Sequence, residues 1–91
     1  MPFVWPVRVR FVDTDASHRI HFTAMLRHFE AAEIEFVRSL GVNRRDAANA
    51  AVNFPRVHVE FTYTAMVQFD DLLAIAVRVE RICNSSYKLA F

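Results

Sequence analysis

Phe11-Val12-Asp13-Thr14-Asp15-Ala16-Ser17-His18-Arg19-Ile20-His21-Phe22-Thr23-Ala24-Met25-Leu26 is the stretch whose reading decides the fold. On its N-terminal side Val7, Val9 and Phe11 alternate with Arg8, Arg10 and Val12, the period of a half-buried strand. On its C-terminal side the period lengthens. Phe22, Met25, Leu26, Phe29, Ala32, Phe36, Val37 and Leu40 recur every three or four residues, one apolar stripe of a helix. Thr23 fits a helix N-cap, and Gly41 stands where a helix-ending glycine is expected. Two carboxylates, Asp13 and Asp15, therefore fall in the connection between a strand end and a helix start. Unpaired N–H groups and a partial positive charge gather at such a start.

The rest of the chain reads outward from this switch. Ala31 and Ile34 lie off the stripe, so the helix is apolar on more than one side, as a helix clasped by a sheet would be. Arg44–Ala51 fits a short helix, closed off by Pro55. Val57, Val59, Phe61 and Tyr63 alternate with Arg56, His58, Glu60 and Thr62, the clearest strand pattern present. Leu73, Ile75, Val77 and Val79 form another, with Ala74 and Ala76 between them, as in the middle of a sheet. Asn84-Ser85-Ser86 reads as a turn into Tyr87, Leu89 and Phe91. The periodicity predicts strands near 7–12, 56–64, 72–82 and 86–91, with a helix near 23–40. Short connections between consecutive strands make them antiparallel, so the class is α+β with residues 1–91 as one domain.

Composition narrows the function. The chain has 91 residues, 54% hydrophobic, with nine Phe. That is more apolar surface than so small a domain can hide alone, which points to association with further copies. Eleven basic against ten acidic residues, net charge +1, leave no basic footprint for nucleic acid. No apolar run reaches the roughly 18 residues of a membrane span, and the first six residues do not read as a signal peptide. The single Cys83 forms no internal disulfide, fits a reducing cytoplasmic setting, and reads as a small buried or half-buried side chain. Glu30, Glu33 and Glu35 read as solvent or interface charge, and His28 and His58 fall on polar faces with no assigned role. No His pair has metal-ligand spacing supported by a nearby acid, so neither a metal nor a cofactor is expected.

Taken by itself, Asp15 is a turn carboxylate free either to cap nearby N–H groups or to act on a substrate. The motif around it resembles the hotdog-fold acyl-CoA thioesterases of the 4-hydroxybenzoyl-CoA thioesterase family. The match rests on Phe11, Asp13-x-Asp15, Ile20-His21-Phe22 and Leu26-Arg27-His28-Phe29-Glu30, and continues weakly through Phe69-Asp70-Asp71-Leu72. The resemblance implies a hotdog fold, an antiparallel sheet wrapped around a long central helix. It implies hydrolysis of an acyl-CoA by Asp15 as base or nucleophile, with the Phe22 backbone N–H as oxyanion donor. His21 would contact the thioester carbonyl or leaving thiol, Met25 the acyl group, and Ser86 and Lys88 the nucleotide end of CoA. Asp13 would hold the turn, and Glu30 stands where the family often has an acid facing the site. The resemblance also implies a homodimer or a tetramer of dimers. Two departures stand out. His18 occupies a turn position where the family usually has glycine, and family chains are longer, so the last strand or two are expected beyond Phe91. A non-catalytic module that binds acyl thioesters, or only dimerises, is the competing reading.

Overall fold

The computed structural model describes residues 3–41, 56–84 and 86–91. Among these residues three strands, β1 (Phe3–Arg8), β2 (Leu72–Ile82) and β3 (Tyr87–Ala90), form one antiparallel sheet in the order β1-β2-β3. One helix, α1 (Ala24–Ser39), packs on it. The expected hotdog arrangement is present: a long helix against an antiparallel sheet.

β1 begins earlier than the alternation suggests and includes Pro6, which sits opposite Ala74. A proline lacks the N–H that a central strand needs, but among the described residues β1 has a neighbour on one side only, so the missing donor is tolerated. Phe3, Trp5 and Val7 are half-buried and Val4, Pro6 and Arg8 are exposed. The ladder then stops. The Val9 N–H still donates to the Asp71 carbonyl at 2.9 Å, but Phe11–Asp13 turns into a single 3-10 turn. Phe11, expected to face inward, is consequently exposed and meets Phe69 edge-on at 5.8 Å.

α1 buries the stripe read from its period. Met25, Ala32 and the half-buried Phe29 and Phe36 face the sheet. Phe29 joins the two parts of the core: Val9, Ile20, Ala24 and Met25 on one side, Ala32, Ile75 and Val77 on the other. Phe22, Leu26 and Leu40 lie outside it and are exposed. Gly41, with φ +87, ends the helix and donates its N–H to the Arg38 carbonyl at 3.0 Å. β2 is the central strand, as its two-faced apolar pattern implied, though its Ala74 and Ala76 face is open.

The clearest predicted strand, 56–64, is not one: these residues enter no ladder among the described residues. Their side chains hold them along α1 instead. Arg56 donates to Glu33 at 3.2 Å, Phe61 stacks on Phe29 at 5.5 Å, and the Tyr63 hydroxyl donates to the Phe22 carbonyl at 2.6 Å. The segment thus runs back along the helix from its middle to its start. Of its alternating apolar residues only Phe61 is half-buried; Val57, Val59 and Tyr63 are exposed, Val57 at 87%. Glu33, expected at the surface, is 5% exposed beneath Arg56. Cys83, expected to be at least half-buried, is exposed. The short helix predicted within 44–51 lies outside the described residues.

Candidate functional site

The site is built on the connection from β1 to α1. Two backbone links draw residues 13–21 into a narrow stem: the His21 N–H donates to the Asp13 carbonyl at 2.7 Å, and the Asp15 N–H to the Arg19 carbonyl at 3.1 Å. Thr14 and Ile20 pair between them. The loop closes with the His18 N–H on the Asp15 carbonyl at 2.9 Å. A second bridge, Arg19 to Gln68, and an Ile20 N–H bond to the Val67 carbonyl at 2.9 Å fix the stem to the segment that leads into β2.

His18 has φ +66, the left-handed region that suits a glycine. The backbone therefore follows the path a glycine would give, and the imidazole is carried on an exposed position.

Asp13 and Asp15, two residues apart, have opposite environments. Asp13 is 2% exposed. Its Oδ2 accepts the Arg10 N–H at 2.8 Å and lies 2.9 Å from His28 Nε2, while Oδ1 accepts from Arg27 Nη2 at 3.2 Å. Burial pushes this carboxyl up, but the Arg10, His28 and Arg27 hydrogen bonds outweigh it and hold the group below the usual carboxylate value. Asp15 is exposed. Its Oδ1 accepts from the Ser17 hydroxyl at 2.5 Å and the Ser17 N–H at 2.8 Å. Those two bonds, with His21 and Arg19 nearby, hold it below the usual value and keep it ionised. Asp13 is thus committed to structure and Asp15 is open to solvent.

At the other end of the stem, Phe22 precedes the first turn of α1. Its N–H meets no acceptor among the described residues, while the neighbouring Thr23 N–H donates to His21 Nδ1 at 3.2 Å. Since Nδ1 accepts that bond, a neutral His21 carries its proton on Nε2. The His21 ring stacks on Phe22, with centroids 4.7 Å apart. Arg19, Ile20, Phe22, Tyr63, Met66 and Val67 line a cavity of about 400 Å³ beside this point. A second cavity of about 330 Å³ lies between helix and sheet, bounded by Met25, Phe29, Leu73, Ile75 and Phe91.

Asp15, His21, Phe22 and Met25 therefore belong to one connection and the helix it starts. Ser86 and Lys88 do not join them within one chain. They lie at the β2–β3 hairpin, where Lys88 pairs with Glu80 at 3.6 Å. The turn stands at the Leu72 end of β2, about 30 Å away at ~3.3 Å per residue. Glu30 is exposed. Among the described residues no three His, Cys, Asp or Glu side chains gather as a metal ion would need. No helix of the described residues is long and apolar enough to cross a membrane.

Two residues of this region carry no expected role. His28 was placed on a polar face, yet it is buried against Asp13. The signal was its spacing: three residues after Met25 and four before Ala32, it falls on the stripe that packs inward. Tyr63 was read as strand, and only the tertiary path puts its hydroxyl on Phe22.

No family model matches the chain. It is 29% identical over 91 residues to the 1,4-dihydroxy-2-naphthoyl-CoA hydrolase of Prochlorococcus marinus (strain MIT 9313), covering 91% of this chain and 60% of that protein. It is 27% identical over 84 residues to the acyl-CoA thioester hydrolase YbgC of Escherichia coli O157:H7, covering 92% of this chain and 63% of the relative. The chain thus spans roughly three fifths of the length of these two relatives. In fold it superposes on a "probable thioesterase" from Bartonella henselae with a TM-score of 0.85, at 29% identity, over 91% of this chain and 70% of that one. Sequence and fold point the same way: the chain is similar to acyl-CoA thioesterases and has the hotdog fold of the thioesterase structures it superposes on.

Proposed function

We propose that this protein hydrolyses an acyl-CoA thioester to the free acid and CoA. The observation that carries the reading is the pairing, on one connection, of an ionised and accessible carboxylate, Asp15, with an N–H at the start of α1, Phe22, that has no acceptor among the described residues.

The chemistry follows from those two groups. The thioester carbonyl sits against the Phe22 N–H. Asp15 takes a proton from water as its oxygen bonds to the carbonyl carbon. Negative charge develops on the carbonyl oxygen, where one such donor is worth about 3–4 kcal/mol. Collapse of the tetrahedral intermediate breaks the C–S bond, and the CoA thiolate recovers the proton. Direct attack by Asp15 instead expels the CoA thiolate and gives a mixed anhydride; water then cleaves it, releasing the acid, restoring the carboxylate and protonating the thiolate, with the same N–H donor holding the oxyanion in each step. The Nε2–H of His21 is the further donor for the carbonyl or the departing sulfur. Met25 forms a wall of the acyl site.

The active species is a homodimer or a tetramer of dimers in the cytoplasm. Two features support association: Val4, Phe11, Val12, Phe69 and Leu72 are exposed, and segment 56–64, with Val57, Val59 and Tyr63 exposed, enters no ladder among the described residues. Ser86 and Lys88, remote from the turn of their own chain, contact the nucleotide end of a substrate held by the turn of a second copy. Release of free thiol from a panel of aliphatic and aromatic acyl-CoAs tests the function. Turnover of at least one member supports it, and binding without turnover across the panel would replace it with the binding-module reading.

A further inference from the structure

We infer that His28 is a positioning residue of this site: it holds the Asp13–His21 stem against α1 so that Asp15 and the Phe22 N–H keep a fixed relation. The inference rests on the thioesterase reading for its kinetic consequence, but its structural content stands alone. Three pieces meet at Asp13 by hydrogen bonds. Its Oδ2 takes the Arg10 N–H at 2.8 Å from the end of β1 and faces His28 Nε2 of α1 at 2.9 Å. Its own carbonyl takes the His21 N–H at 2.7 Å, closing the stem one residue before Phe22. Arg27 also reaches Asp13, but its side chain is 60% exposed, against 11% for His28. A solvated guanidinium is a loose tether, whereas a buried imidazole packed into the second turn of α1 fixes the carboxylate in direction. Because the acceptor is an ionised carboxylate, Nε2 of His28 carries the proton and donates. Loss of that donor leaves Asp13 with one strong buried partner, and the stem that carries Asp15 gains freedom. A displacement of the order of 1 Å at a reacting pair costs up to about a hundredfold in rate.

The test compares His28→Phe, which keeps a ring but removes the donor, with His28→Gln, whose side-chain amide can still reach Oδ2. Amide hydrogen exchange and steady-state kinetics are measured well below each melting temperature. In His28→Phe the His21 and Asp15 amides exchange about tenfold faster while Ile75 in β2 is unchanged, and kcat falls about tenfold or more with KM within about threefold. His28→Gln recovers both. A merely structural histidine would lower the melting temperature in His28→Phe yet leave the stem amides and kcat at parental values, and that result overturns the proposal. If the parent hydrolyses no acyl-CoA, the thioesterase reading fails while the exchange comparison still decides whether His28 holds the stem. Should His28→Phe not fold, His28→Asn, whose amide is too short to reach Asp13, takes its place with the same expectations. Failure of both to fold would assign His28 to the fold and not to positioning.

Discussion

His28 Nε2 lies 2.9 Å from Oδ2 of Asp13, a side chain only 2% exposed. This pair ties the second turn of α1 to the foot of the stem whose tip carries Asp15. The two aspartates of the motif are therefore divided by environment: one ionised and held by donors inside the fold, one held ready in water. Division of two like groups by their surroundings is how a single residue type takes on separate roles.

Replacing Asp13 by Asn should destabilise the fold by about 1–3 kcal/mol, since the Arg10, His28 and Arg27 donors lose a charged acceptor. The sign of the pH effect follows. Asp13 has a folded-state value below 3.8, so its contribution is complete above the unfolded value and is lost as pH falls through the folded one. Denaturant melts between neutral pH and about pH 3 should show the parent losing stability on acidification, and Asp13→Asn losing less over the same window.

His18→Gly should raise stability by up to about 1 kcal/mol. A left-handed conformation strains a residue with a Cβ, and relief of that strain outweighs the extra chain entropy of glycine. The melting temperature in the same buffer is the measurement, and a fall on substitution would show that the imidazole makes a contact worth more than the strain.

Phe29→Ala should cost about 3–5 kcal/mol, because one ring joins both halves of the core and stacks on Phe61 at 5.5 Å and Phe91 at 4.8 Å. Leu26→Ala, at an exposed position of the same helix, should change stability by under about 0.5 kcal/mol. Paired urea melts of the two variants check the contrast.

Much of this was legible in the sequence, for reasons specific to each element. The switch of period at Phe22 located α1 to within a residue at each end, because the helix buries one stripe and ends at a glycine. β2 was legible through its alternation and two-faced apolar pattern. β1 was displaced because Pro6 argues against a strand except at an edge, and edge position depends on tertiary pairing. Segment 56–64 misled because its alternation is not matched by burial within one chain: Phe61 stacks on Phe29 of α1, while Val57, Val59 and Tyr63 stay exposed. At the site, strand–turn–helix placement marked out the connection, and the family resemblance pointed to Asp15 and Phe22 within it. The partnership of Asp13 with His28 spans fifteen residues and appears in no local pattern.

The most direct test of the central claim is thiol release by Asp15→Asn beside the parent, on an acyl-CoA that the parent hydrolyses. The substitution keeps size and leaves Ser17 a side-chain acceptor, but removes the group able to take a proton or attack the carbonyl. The account predicts loss of turnover by about a hundredfold or more, with an unchanged melting temperature and oligomeric state. Turnover within a few-fold of the parent would contradict it.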